Sequence, residues 1–136
     1  MATADHTPAG RGYDTSLNYF YHENDYWTSD SLHTCDGQPM KDLWEMTAET
    51  PYPGLPATRL LNHPSCNSEH QVGVKCRYED NIFTARVYEI IRLHNSSQPL
   101  FLFWAPHIAH APLQVPLEQN AKFDFMKEMS DTSDGM

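Results

Sequence analysis

Two histidines three residues apart, His107 and His110, lie in the run PLFLFWAPHIAHAPLQVP that spans residues 99–116. Residues 100–105 are all apolar, and the run then breaks into His, Pro and small residues. Such a profile reads as a buried parallel strand that delivers its carboxyl end into a polar loop. In open α/β sheets ligands lie just beyond the carboxyl ends of the strands, and His110 holds that position. It is flanked by Ala109 and Ala111 and followed by Pro112. Small neighbours and a stiff following turn let the imidazole project into a cleft in one orientation. An imidazole there can donate a proton or a hydrogen bond to an anionic ester. A histidine at a strand end also serves as a satisfied structural residue, and residue type alone does not separate the two roles. The His-x-x-His spacing suits a metal only if both rings face one way, and no carboxylate or third ligand stands near it in sequence.

An attacking group is missing. The sequence holds no G-x-S-x-G, no Gly-rich phosphate loop, no H-E-x-x-H and no paired Asp-Asp. Cys35, Cys66 and Cys76 form no C-x-x-C motif. Cys66 and Cys76 flank the polar, Gly-containing stretch NSEHQVGVK, which can close as a small disulfide loop. The alternative is three reduced thiols, and the redox compartment decides between them. A Cys66–Cys76 bond leaves Cys35 without a partner in this chain. His6, His22, His33, His63, His70 and His94 are scattered and read as surface residues. Asn95-Ser96-Ser97 matches an N-glycosylation sequon, a weak signal that applies only to a secreted protein.

The elements that must position His110 are legible on its N-terminal side. In YEDNIFTARVYEIIRLH, residues 78–94, the apolar Ile82, Phe83, Val87, Ile90 and Ile91 recur at helical spacing. Asp80 or Asn81 is expected to cap the start, with Glu79 and Asp80 favourable at the N-terminal dipole. NSSQP at 95–99 stops the helix. Helix, polar loop and apolar strand make one α/β unit. Residues 1–30 are irregular and aromatic, with Tyr13, Tyr19, Phe20, Tyr21, Tyr26 and Trp27. They read as a loop whose aromatics pack on a larger body, in preference to a sugar-binding aromatic platform. Residues 31–76 carry five prolines and are expected to be weakly structured decoration. Within them Asp36-Gly37 is a turn signal, and DLWEM at 42–46 suits a short strand or a turn of helix. A polar, helical tail with Phe123, Phe125 and Met126 follows from residue 117.

Charge and length exclude some classes. Nine Lys+Arg against 18 Asp+Glu give a net charge of −9, which argues against nucleic acid as a partner because phosphate binding needs a basic face. No window of about 18 apolar residues is present to span a membrane, and residues 1–10 lack the apolar core of a signal peptide. The 136 residues suit one domain or a piece of a larger one.

The run FLFWAPHIAHAPLQVP resembles the His-bearing strand and loop of type I sulfatases, above all arylsulfatase B-like (N-acetylgalactosamine-4-sulfatase-like) members with their V-H-x-P-L-Q-V-P segment. HTPAGRGYDTSLNYFYHENDYWT is similar to the family's T-P-x-x-R-G-F-D…G-Y…D-Y-(Y/W)-T region. YEDNIFTARVYEIIRLHNSSQPLFLF is similar to its helix leading into that strand. Residues 31–77 follow only loosely, through Cys35 and DLWE. The resemblance implies an incomplete piece of an alkaline phosphatase-like α/β fold, with residues 1–136 a partial catalytic domain of one clear helix–strand unit plus long loops. It implies a sulfuric ester hydrolase acting on aryl or sugar sulfates, with His110 as the active-site histidine near the ester. It further implies a calcium ion, a formylglycine made from the Cys of C-x-P-x-R, and a secretory, lysosomal or periplasmic setting. That motif, the Asp-Asp metal pair and the D-N-G-G ligands are expected beyond both ends of the chain. No nucleophile or metal ligand is therefore expected within it, and the piece alone should be inert because such groups act as a unit. Two readings compete: a phosphoester or phosphonate hydrolase on the same fold, and a non-catalytic binding or pseudoenzyme module.

Overall fold

A computed structural model describes residues 3–21, 23–47, 49–50, 54–67 and 76–126, with the backbone alone described at 4 and 32–35. Helices and sheets are mixed. Two short 3-10 turns, Ala4–His6 and Ala9–Arg11, precede five strands: β1 (Ser16–Asn18), β2 (Asp30–Cys35), β3 (Gln38–Lys41), β4 (Trp44–Met46) and β5 (Leu55–Pro56). A 3-10 turn at Thr58–Leu60 leads towards helix α1 (Glu79–Leu93), and α2 (Leu117–Asn120) continues into a last 3-10 turn at Ala121–Phe123. β1, β4 and β5 form one antiparallel sheet in the order β1-β4-β5, with Leu17 opposite Glu45 and Glu45 opposite Leu55. β2 and β3 form a separate hairpin with Cys35 opposite Gln38.

Local chemistry accounts for these elements. Asp36 and Gly37 have φ of 52° and 76°, the doubly left-handed pair that a tight hairpin turn requires and that an Asp-Gly dipeptide supplies. The region expected to be weakly structured therefore holds four of the strands, because its turn formers close antiparallel pairs. DLWEM resolves as strand. Gly54 has φ of 85°, and a Cβ there would meet the Glu45 carbonyl oxygen at 2.5 Å, so only glycine lets the chain turn back against β4.

Asp42 fixes the aromatic N-terminal segment to this sheet. Its buried carboxylate accepts hydrogen bonds from the backbone N–H groups of Phe20 (3.0 Å) and Tyr21 (2.6 Å) and from the Trp44 indole (2.9 Å). Its carbonyl accepts from the buried Asn24 amide at 2.7 Å. Two of these donors are backbone N–H groups that no ladder pairs, and the carboxylate satisfies them.

The core lies where this segment meets α1. Tyr26 and Trp27 are buried against Tyr78, with ring centroids 5.5 and 5.3 Å from it. Leu43, Met46, Ala57, Cys66 and Ile82 are also buried. Each large apolar side chain so placed contributes roughly 1.5–3 kcal/mol. Tyr26 and Trp27 thus pack within this chain's own core, while Tyr13, Tyr19, Phe20 and Tyr21 stay half-buried.

Helix α1 matches the periodicity, with two corrections. Its N-cap is Tyr78 and carries no side-chain cap bond, so neither Asp80 nor Asn81 caps it; the Glu79 N–H is satisfied instead by the Tyr26 carbonyl at 2.8 Å. The apolar stripe buries only Ile82, while Phe83, Val87 and Ile90 are half-buried and Ile91 is exposed. The larger correction concerns residues 100–105. They form no strand among the described residues, and Phe101 and Phe103 are 78% and 69% exposed. Hydrophobicity there records a need for burial, but no described strand lies alongside to meet it. Cys66 and Cys76 are disulfide-bonded, which selects between the two alternatives left open by spacing. The Cys35 side chain, His22, His70 and residues 127–136 lie outside what is described. No helix among the described residues is long and apolar enough to cross a membrane.

Candidate functional site

The loop that carries the histidines is pinned from beneath by the N-terminal segment. The Tyr26 hydroxyl donates to the His110 carbonyl at 2.9 Å and lies 3.2 Å from the His107 carbonyl. Gln114 ties the loop down a second time. Its side-chain oxygen accepts the Tyr26 N–H at 2.8 Å, and its amide donates to Asp25 Oδ2 at 2.5 Å. The Tyr78 hydroxyl donates to the Gln114 carbonyl at 2.9 Å. Between the histidines Ala109 takes φ of 70°, a left-handed conformation costing a residue with a Cβ roughly 1–2 kcal/mol; the pinning bonds to Tyr26, Tyr78 and Asp25 offset it. The Ala111–Pro112 peptide is cis.

His107 and His110 end in opposite environments. His107 is buried, and its Nδ1 meets Glu79 Oε1 at 3.1 Å. Its ring stacks near Tyr26 and Tyr19, with centroids 4.3 and 4.8 Å away. His107 Nε2 and Glu79 Oε2 are buried with no hydrogen-bond partner. Burial pushes the Glu79 carboxyl above its ordinary value; the hydrogen bond and charge of His107 pull it back in part, and Asp25 and Asp42 add to the rise. His110 is exposed, and its Nδ1 lies 2.8 Å from the Ala111 carbonyl. A carbonyl only accepts, so Nδ1 carries the proton. In the neutral ring Nε2 is then an acceptor, and in the imidazolium it is a donor. The two ring centroids are 6.2 Å apart. Among the described residues no group of three or more His, Cys, Asp or Glu side chains can hold a metal ion, so a His-x-x-His metal site is not formed by these residues.

His110 opens onto a groove of about 510 Å³ lined also by Tyr26, Tyr78, Asp80, Asn81 and Gln114. Asp25, behind it, is held below its ordinary value: burial raises it, but hydrogen bonds from Gln114 and from Thr28 and Trp27 together outweigh that. The groove has apolar walls, one imidazole and the carboxylates Asp80 and Glu118 at its edge. Such a site can present a proton donor to a ligand, but the described lining has no Arg or Lys to neutralise an anion. The disulfide removes Cys66 and Cys76 as nucleophiles.

His110 stands at the mouth of a cleft, at the end of an extended segment in place of a strand. Asn95 is exposed just beyond α1, and its side-chain oxygen accepts from the Ser97 N–H and hydroxyl at 3.1 and 2.8 Å. His6, His63 and His94 bond locally to Thr3, Ser65 and Gln98. Glu79, Gln114, Asp25 and Tyr26 were not singled out as site residues. Only the polar Gln inside LQVP and the Glu ahead of the helical stripe offered a signal.

Comparison with known proteins shows that the chain has a distant likeness to a sulfatase. It is 28% identical over 112 residues, 82% of its length, to arylsulfatase J of Mus musculus. It spans about 15% of the length of that curated relative. No family model and no solved structure matches it. The likeness supports a relationship to sulfatases.

Proposed function

We propose that this chain is a segment of a sulfuric ester hydrolase and that His110 contacts the sulfate ester or its leaving oxygen. The observation that carries the reading is the exposed His110 at the groove mouth, held by Tyr26 and Gln114 inside a stretch similar to arylsulfatase J. The HAPLQVP segment supports the finer arylsulfatase B-like reading and an alkaline phosphatase-like architecture for the longer protein. In the imidazolium form His110 Nε2 donates to the ester and can pass a proton to the departing alcohol. Tyr26 and Gln114 hold the loop so that the ring does not have to be ordered when substrate binds.

The groove's carboxylates mean that an anion there needs positive charge from residues outside the described lining. By the family resemblance, a calcium ion would supply positive charge and a formylglycine the nucleophile. The described residues fit neither group: no metal cluster is formed and the disulfide occupies two of the cysteines. No step through either is assigned to them.

The test is an assay of the full-length protein carrying this sequence against an aryl sulfate and the matching aryl phosphate. The reading expects turnover of the sulfate in preference to the phosphate. Preference for the phosphate favours the phosphoesterase alternative, and turnover of neither favours the non-catalytic one; either result overturns it.

A further inference from the structure

One buried ionisable pair takes no part in the reaction proposed for His110. Glu79 and His107 are 1% and 7% exposed, and Oε1 meets Nδ1 at 3.1 Å. Taking two such groups out of water is costly, and an apolar pair of similar volume often serves stability as well or better. Their remaining polar atoms, Glu79 Oε2 and His107 Nε2, are buried with no hydrogen-bond partner among the described residues, which adds to the cost. Stability does not account for this pair. What it holds is geometry.

Glu79 and His107 belong to a closed circuit through Tyr26. The Glu79 N–H donates to the Tyr26 carbonyl at 2.8 Å. The His107 ring packs on the Tyr26 ring, with centroids 4.3 Å apart. The Tyr26 hydroxyl donates to the His110 carbonyl at 2.9 Å and lies 3.2 Å from the His107 carbonyl. The circuit therefore starts at the first residue of α1, enters the loop at His107 and closes on the tyrosine that bonds the His110 backbone. It grips the loop on both sides of Ala109, whose φ of 70° turns the chain between the two rings. Beyond that turn His110 is exposed, with Nδ1 held 2.8 Å from the Ala111 carbonyl. Such a partner selects one of the two tautomers that a free imidazole samples.

We propose that Glu79, acting through His107, is a positioning residue for His110. It fixes the backbone course from 107 to 110, and with it the tautomer and direction in which the exposed ring meets a ligand. Neither Glu79 nor His107 lines the groove, so both act through the loop and not on the ligand. The consequence for turnover rests on the sulfate-ester reading; the consequence for the His110 ring does not.

The test compares two variants of the full-length protein carrying this sequence. Glu79→Gln keeps a hydrogen bond to His107, whereas Glu79→Met/His107→Leu keeps the volume and removes the bond. Circular dichroism checks that each is folded. Nitrogen NMR of histidine-labelled protein reads the neutral His110 ring, identified by the signal missing from His110→Ala. The unsubstituted protein and Glu79→Gln are expected to carry the proton on Nδ1, and the double variant to show a mixture of tautomers. With an aryl sulfate the double variant is expected to lose about tenfold or more in kcat at unchanged KM, because a misplacement of about 1 Å can cost about 10²-fold. Glu79→Gln is expected to retain kcat. An unchanged tautomer or an unchanged kcat in the double variant overturns the proposal, and so does a Glu79→Gln protein as impaired as the double. If the double variant does not fold, Glu79→Met alone is held to the same expectations. The expected tautomer change in a protein that turns over no sulfate would sink the sulfate-ester reading and leave the positioning role standing.

Discussion

Glu79 and His107 are the residues whose chemistry departs furthest from their sequence context. A glutamate in the first turn of a helix ordinarily faces solvent and complements the dipole; here it is 1% exposed beneath the histidine loop. Its raised carboxyl fixes a sign. A group that binds its proton more tightly when folded adds stability below its unfolded value and loses that contribution as pH rises through the folded one. The folded chain should therefore lose stability as pH rises from about 4.5, the ordinary value for Glu, towards neutrality. Glu79→Gln keeps a neutral hydrogen-bonding partner for His107, and its melting temperature relative to the unsubstituted chain should climb over that interval. A difference that does not vary with pH would contradict the assignment. The histidine cluster drew attention in the sequence because of its types and spacing. Glu79 did not, since burial of a helix-start glutamate depends on a loop 28 residues away closing over it.

At the scale of elements, local signals carried α1 and the β2–β3 turn, because an apolar stripe and an Asp-Gly pair act within a few residues. They did not carry the docking of the N-terminal segment, which hangs on Asp42, more than 20 residues from the N–H groups it satisfies. Asp42→Ala would leave the Phe20 and Tyr21 N–H groups and the Trp44 indole without acceptors. At roughly 1–3 kcal/mol for a buried donor left unmet, and less for these half-buried ones, a loss of about 2 kcal/mol is expected in chemical denaturation. A loss below about 1 kcal/mol would mean that water replaces the carboxylate. The apolar run at 100–105 shows the opposite limit. Its composition matches that of a buried strand, but strand formation needs a neighbour to pair with, and no described residues provide one.

In the whole molecule the tyrosines form the seam between the aromatic segment, α1 and the histidine loop. Burial pushes Tyr19 and Tyr78 up to about 12, with neighbouring Glu79 and Tyr26 respectively next in effect, and burial raises Tyr26 as well. The sign is again that of a proton held more tightly in the fold, so their contribution is complete below 10.0 and disappears as pH climbs towards about 12. Tyrosinate absorbance should lag behind that of a free tyrosine and rise together with loss of helix signal. Ionisation of these tyrosines near 10.0 with the helix intact would show that the seam is open. The same seam supports the central claim, because Tyr26 sets the backbone that presents His110. The most direct measurement is aryl sulfate turnover by the full-length protein carrying His110→Ala. The account predicts a fall in kcat of roughly 10²-fold or more, the scale of losing a general acid, and turnover equal to that of the unsubstituted protein would contradict it.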